Sequence, residues 1–378
     1  MTHKIRVLSV FGTRPEAVKM APVIQTLERE SEVESRVCVT AQHRQMLDQV
    51  LELFQIKPDY DLNLMRPNQS LAGLTAEVME NLDPVLADEH PDWVLVQGDT
   101  TTVMTAALAA FYRGIRVGHV EAGLRTGDKR QPFPEEINRR IAGTIADLHF
   151  APTDLARQNL LHEGIDDRII RVTGNTEIDA QLKVLEMPVP EQVHRWLEEW
   201  QIREGGNRLA LVTAHRRENF GKPIEDICSA LKRLVEDYAG NLHLVYPVHF
   251  NPNIQEPVHS ILGNVPNIHL LDPLDYLPMV HMLKAATIVL TDSGGIQEEA
   301  PGLGKPTLVL REKTERPEGV AAGVLKLVGT DPERIVAEAH RLLDDKTEYN
   351  KMAHAANPFG DGHAAERIVK ALLEFNEY

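Results

Sequence analysis

Several absences in this sequence each exclude a class of function. There are only two cysteines in 378 residues, Cys38 and Cys228. Both stand in apolar-periodic surroundings, which excludes a disulfide framework and predicts buried free thiols in a reducing cytoplasm. No apolar run approaches the ~20 residues that a membrane span needs, so no membrane partner is expected. The first residues, Met1-Thr2-His3-Lys4-Ile5-Arg6, lead directly into an apolar strand, which reads as the absence of a secretory leader. Cations are outnumbered, 40 Lys and Arg against 56 Asp and Glu, for a net charge of −16. That balance argues against a nucleic-acid partner and requires any anionic ligand to be met by a local cationic cluster. The metal spacing H-E-x-x-H is missing, as is a nearby D-x-D of the kind found in Mg-dependent transferases. Short-period repeats and low-complexity tracts are also lacking.

What is present is an alternation of short apolar runs and amphipathic stretches, with 43% hydrophobic residues, enough for two separately cored domains. Ile5 to Val10 reads as a strand ending in Phe11-Gly12-Thr13-Arg14-Pro15-Glu16, followed by a helix with Ala17, Met20, Ala21, Ile24 and Leu27 on one face. The turn has one glycine, not the three of a dinucleotide fingerprint, so NAD is not expected there and no cofactor is predicted. Instead it carries Arg14, with Lys19 just over one turn into the helix. Further strands are Arg36–Thr40, Trp93–Gly98, Arg116–Val120, Leu148–Pro152 and Ile169–Gly174, with helices over Leu71–Glu89, Ile137–Asp147 and Asp154–His162. A linker is expected near Gly174–Asn175. A second series then opens with Leu209–Ala214 and His215-Arg216-Arg217-Glu218-Asn219, and closes with a helix over Ala364–Phe375 that could pack back on the first domain. The predicted fold is α/β: two doubly wound domains facing each other, over 1–174 with 360–378, and over 175–359. Ligands of such sheets bind at the carboxyl ends of the strands.

Asp292-Ser293-Gly294-Gly295-Ile296-Gln297-Glu298-Glu299 follows the apolar run Ala285–Leu290. A serine and two glycines at a helix beginning near Gly294 leave backbone N–H groups open to phosphate oxygens. A carboxylate one turn further in, at Glu298 or Glu299, suits the two hydroxyls of a ribose. The stretch therefore reads as a nucleotide diphosphate site, set against the plainer reading of a strand–helix turn with a solvated acidic face. The strand ends of the first half carry three carboxylates, Asp99, Glu121 and Glu135, and those of the second carry His215. Three carboxylates suit either a hard metal or acid/base chemistry; the missing metal spacings favour the latter, with no metal.

Seven motifs in order make the resemblance specific. They are Phe11–Glu16, Gln97-Gly98-Asp99-Thr100, His119-Val120-Glu121-Ala122-Gly123-Leu124-Arg125-Thr126, Pro134-Glu135-Glu136-Ile137-Asn138-Arg139, Thr213–Asn219, Asp292–Glu299 and Thr314-Glu315-Arg316-Pro317-Glu318. The chain resembles the non-hydrolysing UDP-N-acetylglucosamine 2-epimerase family from its first strand to Asn357–Gly362. The resemblance implies two Rossmann-like domains of B-type glycosyltransferase architecture, and a cytoplasmic homodimer. It also implies interconversion of UDP-GlcNAc and UDP-ManNAc for surface polysaccharide or cell-wall precursors. Under it, Asp99, Glu121, Glu135 and His215 are catalytic. Arg14, Lys19, His215 and Arg316 match diphosphate contacts, Ser293, Gly294 and Gly295 fit phosphate, and Glu299 fits the ribose. Leu274 and Met279 match positions beside the uracil. Relatives that bind a second UDP-GlcNAc as activator do so near Gln42, His43, Gln45, Asn68 and Gln69. Asn68 stands where they carry arginine, so weak or altered activation is expected. A hydrolysing relative releasing free ManNAc, a B-type glycosyltransferase and a UDP-sugar-binding regulator are the competing readings. For Arg125 a salt bridge holding its loop is expected.

Overall fold

The computed structural model describes residues 4–41, 44–64, 66, 69–238 and 240–375, with the backbone alone at Gln45. The chain divides into two compact units, Met1–Ala180 with Phe359–Tyr378, and Gln181–Pro358.

In order, the first unit contains β1 (Ile5–Phe11), α1 (Arg14–Arg29), β2 (Val33–Val39), α2 (Arg44–Leu53), β3 (Tyr60–Asp61), α3 (Leu71–Glu89) and β4 (Trp93–Gln97). It continues with α4 (Thr101–Tyr112), β5 (Arg116–Val120), α5 (Glu135–Ile145), β6 (Leu148–Ala151), α6 (Asp154–His162) and β7 (Ile170–Val172). The chain passes into the second unit within α7 (Thr176–Leu185). There follow α8 (Glu191–Glu199), β8 (Arg208–Thr213), α9 (Lys222–Asp237), β9 (Leu242–Pro247), α10 (Pro252–Leu262), β10 (Ile268–Leu271) and α11 (Tyr276–Ala285). Next come β11 (Ile288–Thr291), α12 (Ile296–Gly302), β12 (Thr307–Val309), α13 (Pro317–Ala321), β13 (Leu325–Leu327), α14 (Pro332–Asp344) and α15 (Lys346–Ala353). The last helix, α16 (Ala364–Leu373), returns to the first unit and packs on α1.

Both sheets are wholly parallel, in the orders β3-β2-β1-β4-β5-β6-β7 and β10-β9-β8-β11-β12-β13. Strands covered by helices on both faces read as continuous apolar runs, and β4 and β11 are buried at every position. The strand order reverses between β1 and β4 in one unit, and between β8 and β11 in the other. At such a switch point the loops diverge to opposite faces and leave room for a ligand. The apolar stripe of α1 is fully covered: Ala17, Met20, Ala21, Ile24 and Leu27 are each 0% exposed. The fold class expected from the alternation, two doubly wound α/β sheets, is the one observed.

Two helix starts differ from expectation, each with a local cause. α5 begins at Glu135 rather than Ile137, because Pro134 takes the N-cap position and releases Glu135 as the first helical residue. α12 begins at Ile296, capped by Gly295, so Ser293 and Gly294 belong to the loop before the helix. The expectation of a helix start near Gly294 is corrected by those two residues. The short edge strands β3 and β13 escaped sequence reading, since two or three residues carry no periodicity.

Candidate active site

In the first unit the turn after β4 is anchored at every residue. Gly98 donates its N–H to the Val120 carbonyl at 3.0 Å, and its own carbonyl meets His119 Nε2 at 2.7 Å. The Asp99 carbonyl accepts from Asn138 Nδ2 at 3.0 Å, and its carboxylate accepts from Arg139, Nε at 3.1 Å and Nη2. Arg139 also pairs with the fully buried Glu136 at 3.2 Å. Glu136 further accepts from the backbone of Thr126 at 3.1 Å and from Arg140 at 3.0 Å. The first turn of α5 therefore holds both Asp99 and the loop after β5.

Glu121 follows β5 with φ +63°, in the left-handed region. A non-glycine residue held there stores strain that the surroundings must over-determine, and such residues cluster at functional sites. The surroundings do so here. Lys19 Nζ lies 2.6 Å from one carboxylate oxygen, Gln97 donates to the other, and Asn175 Nδ2 is at 3.5 Å. Lys19 also lies 3.7 Å from Glu177. Glu121 Oε2 is 3.6 Å from where a Cβ on Gly98 would stand, so Glu121 and the Asp99 turn are neighbours. His119, fully buried beneath them, has its pKa depressed to about 4 by burial, with its bond to Gly98 opposing that shift. A neutral ring with Nε2–H pointing at Gly98 follows. The carboxylates are not left crowded against each other: Arg139 meets Asp99 and Lys19 meets Glu121. Glu135, half-buried, has no hydrogen bond or ion pair among the described residues. Arg14 is likewise half-buried and without a partner among the described residues. It is the first residue of α1, where a cation is opposed by the helix dipole, so a ligand anion is what would favour it. Arg125 forms the expected salt bridge, its Nε and Nη2 on Glu163 at 2.8 and 2.7 Å.

In the second unit the organising group is Asp292, 0% exposed, at the end of β11. Its Oδ2 accepts from the backbone N–H groups of His215 and Arg216 at 2.8 Å each, and from Asn219 Nδ2 at 2.9 Å. Its other oxygen stands 3.5 Å from His215 Nδ1. The His215 ring stacks on His249 with centroids 5.6 Å apart. Burial lowers the His215 pKa and Asp292 opposes that shift. A Cβ on Gly294 would stand 3.6 Å from an Arg216 guanidinium nitrogen and 4.0 Å from one of Arg316. Two cations thus flank the Ser293–Gly295 loop, the local cluster that a chain of charge −16 requires for an anion. Arg216 was not singled out from sequence. Its place in His215-Arg216-Arg217 was visible, but not which of two adjacent arginines turns toward Gly294.

Arg316 is ion-paired with Glu298. Glu298 and Glu299 are buried, 2% and 4% exposed, which removes the solvated acidic face as an explanation of that stretch. Leu274 and Met279 are half-buried and pack on the cluster containing Leu211, Val289, Ile296 and Ala300, just behind the α12 loop. Of the activator-site expectations, Gln42, His43, Asn68 and the Gln45 side chain lie outside the described residues; Gln69 donates to Glu77 at 2.8 Å. Among the described residues no group of three or more His, Cys, Asp or Glu could hold a metal ion, and no helix is long and apolar enough to cross a membrane.

The whole chain is similar to known proteins in sequence and in fold. The sequence profile described as UDP-N-acetylglucosamine 2-epimerase matches residues 25–373. The UDP-N-acetylglucosamine 2-epimerase of Salmonella typhimurium is 54% identical over 373 residues, covering 98% of this chain and 99% of that one. A crystal structure of the Neisseria meningitidis UDP-GlcNAc 2-epimerase bound to UDP-GlcNAc superposes with a TM-score of 0.88 at 49% identity, covering 98% of this chain and 100% of that chain. The Methanocaldococcus jannaschii UDP-GlcNAc 2-epimerase, in complex with UDP-GlcNAc and UDP, does so with 0.79 at 34%, covering 98% and 99%. On the profile match, the full-length identity and the shared fold, this chain belongs to the UDP-N-acetylglucosamine 2-epimerase family.

Proposed function

We propose that the protein interconverts UDP-GlcNAc and UDP-ManNAc without hydrolysis, by elimination and re-addition of UDP. The C2 proton of the sugar is not next to a carbonyl, so its removal needs a leaving group at C1. A carboxylate takes that proton while the C1–O bond breaks, its electron pair leaving with UDP, and a C1–C2 double bond forms to give 2-acetamidoglucal. UDP then re-forms the bond at C1 as a proton is delivered to the opposite face of C2. Asp99, Glu121 and Glu135 supply the acid and base groups. Arg14, Lys19, His215 and Arg316 stabilise the departing diphosphate, Ser293, Gly294 and Gly295 receive its oxygens, Glu299 binds the ribose and Leu274 and Met279 flank the uracil.

The observation that carries this reading is the pairing of Asp99 and Glu121 on adjacent strand ends, each held by its own cation. A glycosyltransferase, with no chemistry at C2, has no need of it. Incubation with UDP-GlcNAc in D2O is expected to place deuterium at C2 of the recovered sugar nucleotides, with the UDP linkage retained by proton NMR. Recovery without deuterium would refute epimerisation. Release of free ManNAc would instead identify the hydrolysing reaction.

A further inference from the structure

Glu16 has no role in the scheme above, yet its carboxylate is only 2% exposed. One oxygen accepts from the backbone N–H groups of Gly12 at 3.1 Å and Thr13 at 2.7 Å. That half is a capping box, which satisfies the open donors at the start of α1. A capping box leaves the second oxygen unexplained. That oxygen accepts the Thr100 hydroxyl proton at 2.8 Å, from 84 residues away in the chain. Thr100 is itself the N-cap of α4, its oxygen accepting from Val103 N at 3.3 Å. One carboxylate therefore fastens together the first turns of α1 and α4, the helices that follow β1 and β4 on either side of the switch point. The loop before α1 delivers Arg14, and the turn before α4 delivers Asp99.

The seam these loops share is tight. A Cβ on Gly12 would fall 2.0 Å from Thr40 Oγ1 and 3.1 Å from Thr102 Oγ1, and those two hydroxyls are 3.1 Å apart. Burial pushes the Glu16 pKa up, and the bonds from Thr13, Thr100 and Gly12 pull it down. A buried carboxylate is tolerated only where its oxygens are hydrogen-bonded, and here the bonds come from both loops.

We propose that Glu16 is a positioning residue for the epimerisation. It locks the Gly12–Arg14 loop to the Gly98–Thr100 turn, so that Arg14 and Asp99 stand in working geometry before substrate binds. The proposal rests on the assignment of those two residues to the reaction. Misplacement of a reacting group by ~1 Å costs about 10²-fold in rate, which sets the scale of the effect.

The test uses the full-length chain with Glu16→Gln, Thr100→Val, Thr100→Ser and the Glu16→Gln/Thr100→Val double variant. Thr100→Val cuts the link while leaving the capping box of α1 intact. Glu16→Gln removes the charge and turns an amide toward the Thr100 hydroxyl. Each is expected to lower kcat by roughly 10- to 100-fold, with KM within about threefold, because the interaction acts on the transition state rather than on substrate binding. The double variant should be no worse than the poorer single variant, the sign of a shared interaction. Thr100→Ser, which keeps the hydroxyl, should restore kcat. Amide hydrogen exchange without ligand should rise together in both loops of Glu16→Gln. Losses that multiply in the double variant, a loss confined to Glu16→Gln, or a KM change alone would overturn the proposal. If the unaltered chain turns over no UDP-GlcNAc, the functional reading fails. The exchange measurement then still decides the link, and loosening of one loop without the other sinks it.

Discussion

The proposed reaction turns on Asp99, Glu121 and Glu135, and the three are held differently. Asp99 is tied to Arg139 and Glu121 to Lys19, whereas Glu135 has no partner among the described residues. Asp99→Asn, Glu121→Gln and Glu135→Gln are each expected to lower turnover by at least ~10²-fold, the scale of acid/base groups, in a coupled assay of sugar-nucleotide interconversion. Normal rates in all three would remove the carboxylates from the mechanism. Beneath them, burial depresses the pKa of His119 to about 4 and of His149 to about 3, from an ordinary 6.5. These groups bind fewer protons folded than unfolded. Above pH 6.5 neither state is protonated and they have no effect. As pH falls from 6.5 toward 4 the unfolded chain gains protons that the folded chain refuses, so stability drops by about 1.4 kcal/mol per pH unit for each histidine. Denaturant unfolding between pH 6.5 and 4.5 should show this loss, with a shallower slope in His149→Phe. An unchanged slope in that variant would show that the ring titrates normally.

At the scale of the element, the loop after β5 depends on one glycine. Gly123 has φ +91°, and a Cβ there would lie 2.3 Å from the Ala156 carbonyl oxygen, on the first turns of α6. Backbone cannot yield as a flexible side chain can. Gly123→Ala should therefore destabilise the protein by about 3 kcal/mol or more, combining left-handed strain with a steric clash. Thermal unfolding measures it; a melting temperature unchanged from the parent would mean that the loop has another conformation. α5 shows the converse case, an element whose start was misjudged by two residues with chemical consequence. Because Pro134 caps it, Glu135 stands at the positive end of the helix and Arg139 one turn on reaches Asp99.

At the scale of the whole molecule, each unit has its own parallel sheet and its own core. The first unit exposes apolar residues on neighbouring helices: Phe111 and Tyr112 on α4, Ile137 and Ile141 on α5. Exposed apolar surface of this kind suits a partner face, and supports the expectation of a homodimer. Light scattering after size exclusion should give twice the mass of one chain, and Ile141→Glu should lower it. A monomer at micromolar concentration would refute the expectation.

The sequence alone determined the alternation of strand and helix, because apolar runs too short for buried helices and stripes of period 3.6 can each form only one kind of element. It also placed the candidate groups Arg14, Asp99, Glu121 and His215 just after strands, as the structure has them. Only the tertiary structure decided which groups touch. That Arg316 meets Glu298, that Arg216 faces Gly294, and that Glu16 reaches Thr100 are consequences of chain segments 18 to 84 residues apart arriving at one place. Local pattern encodes the face on which a side chain lies. Its partner is set by strand order and by loop conformation, which depend on the packing of the whole unit.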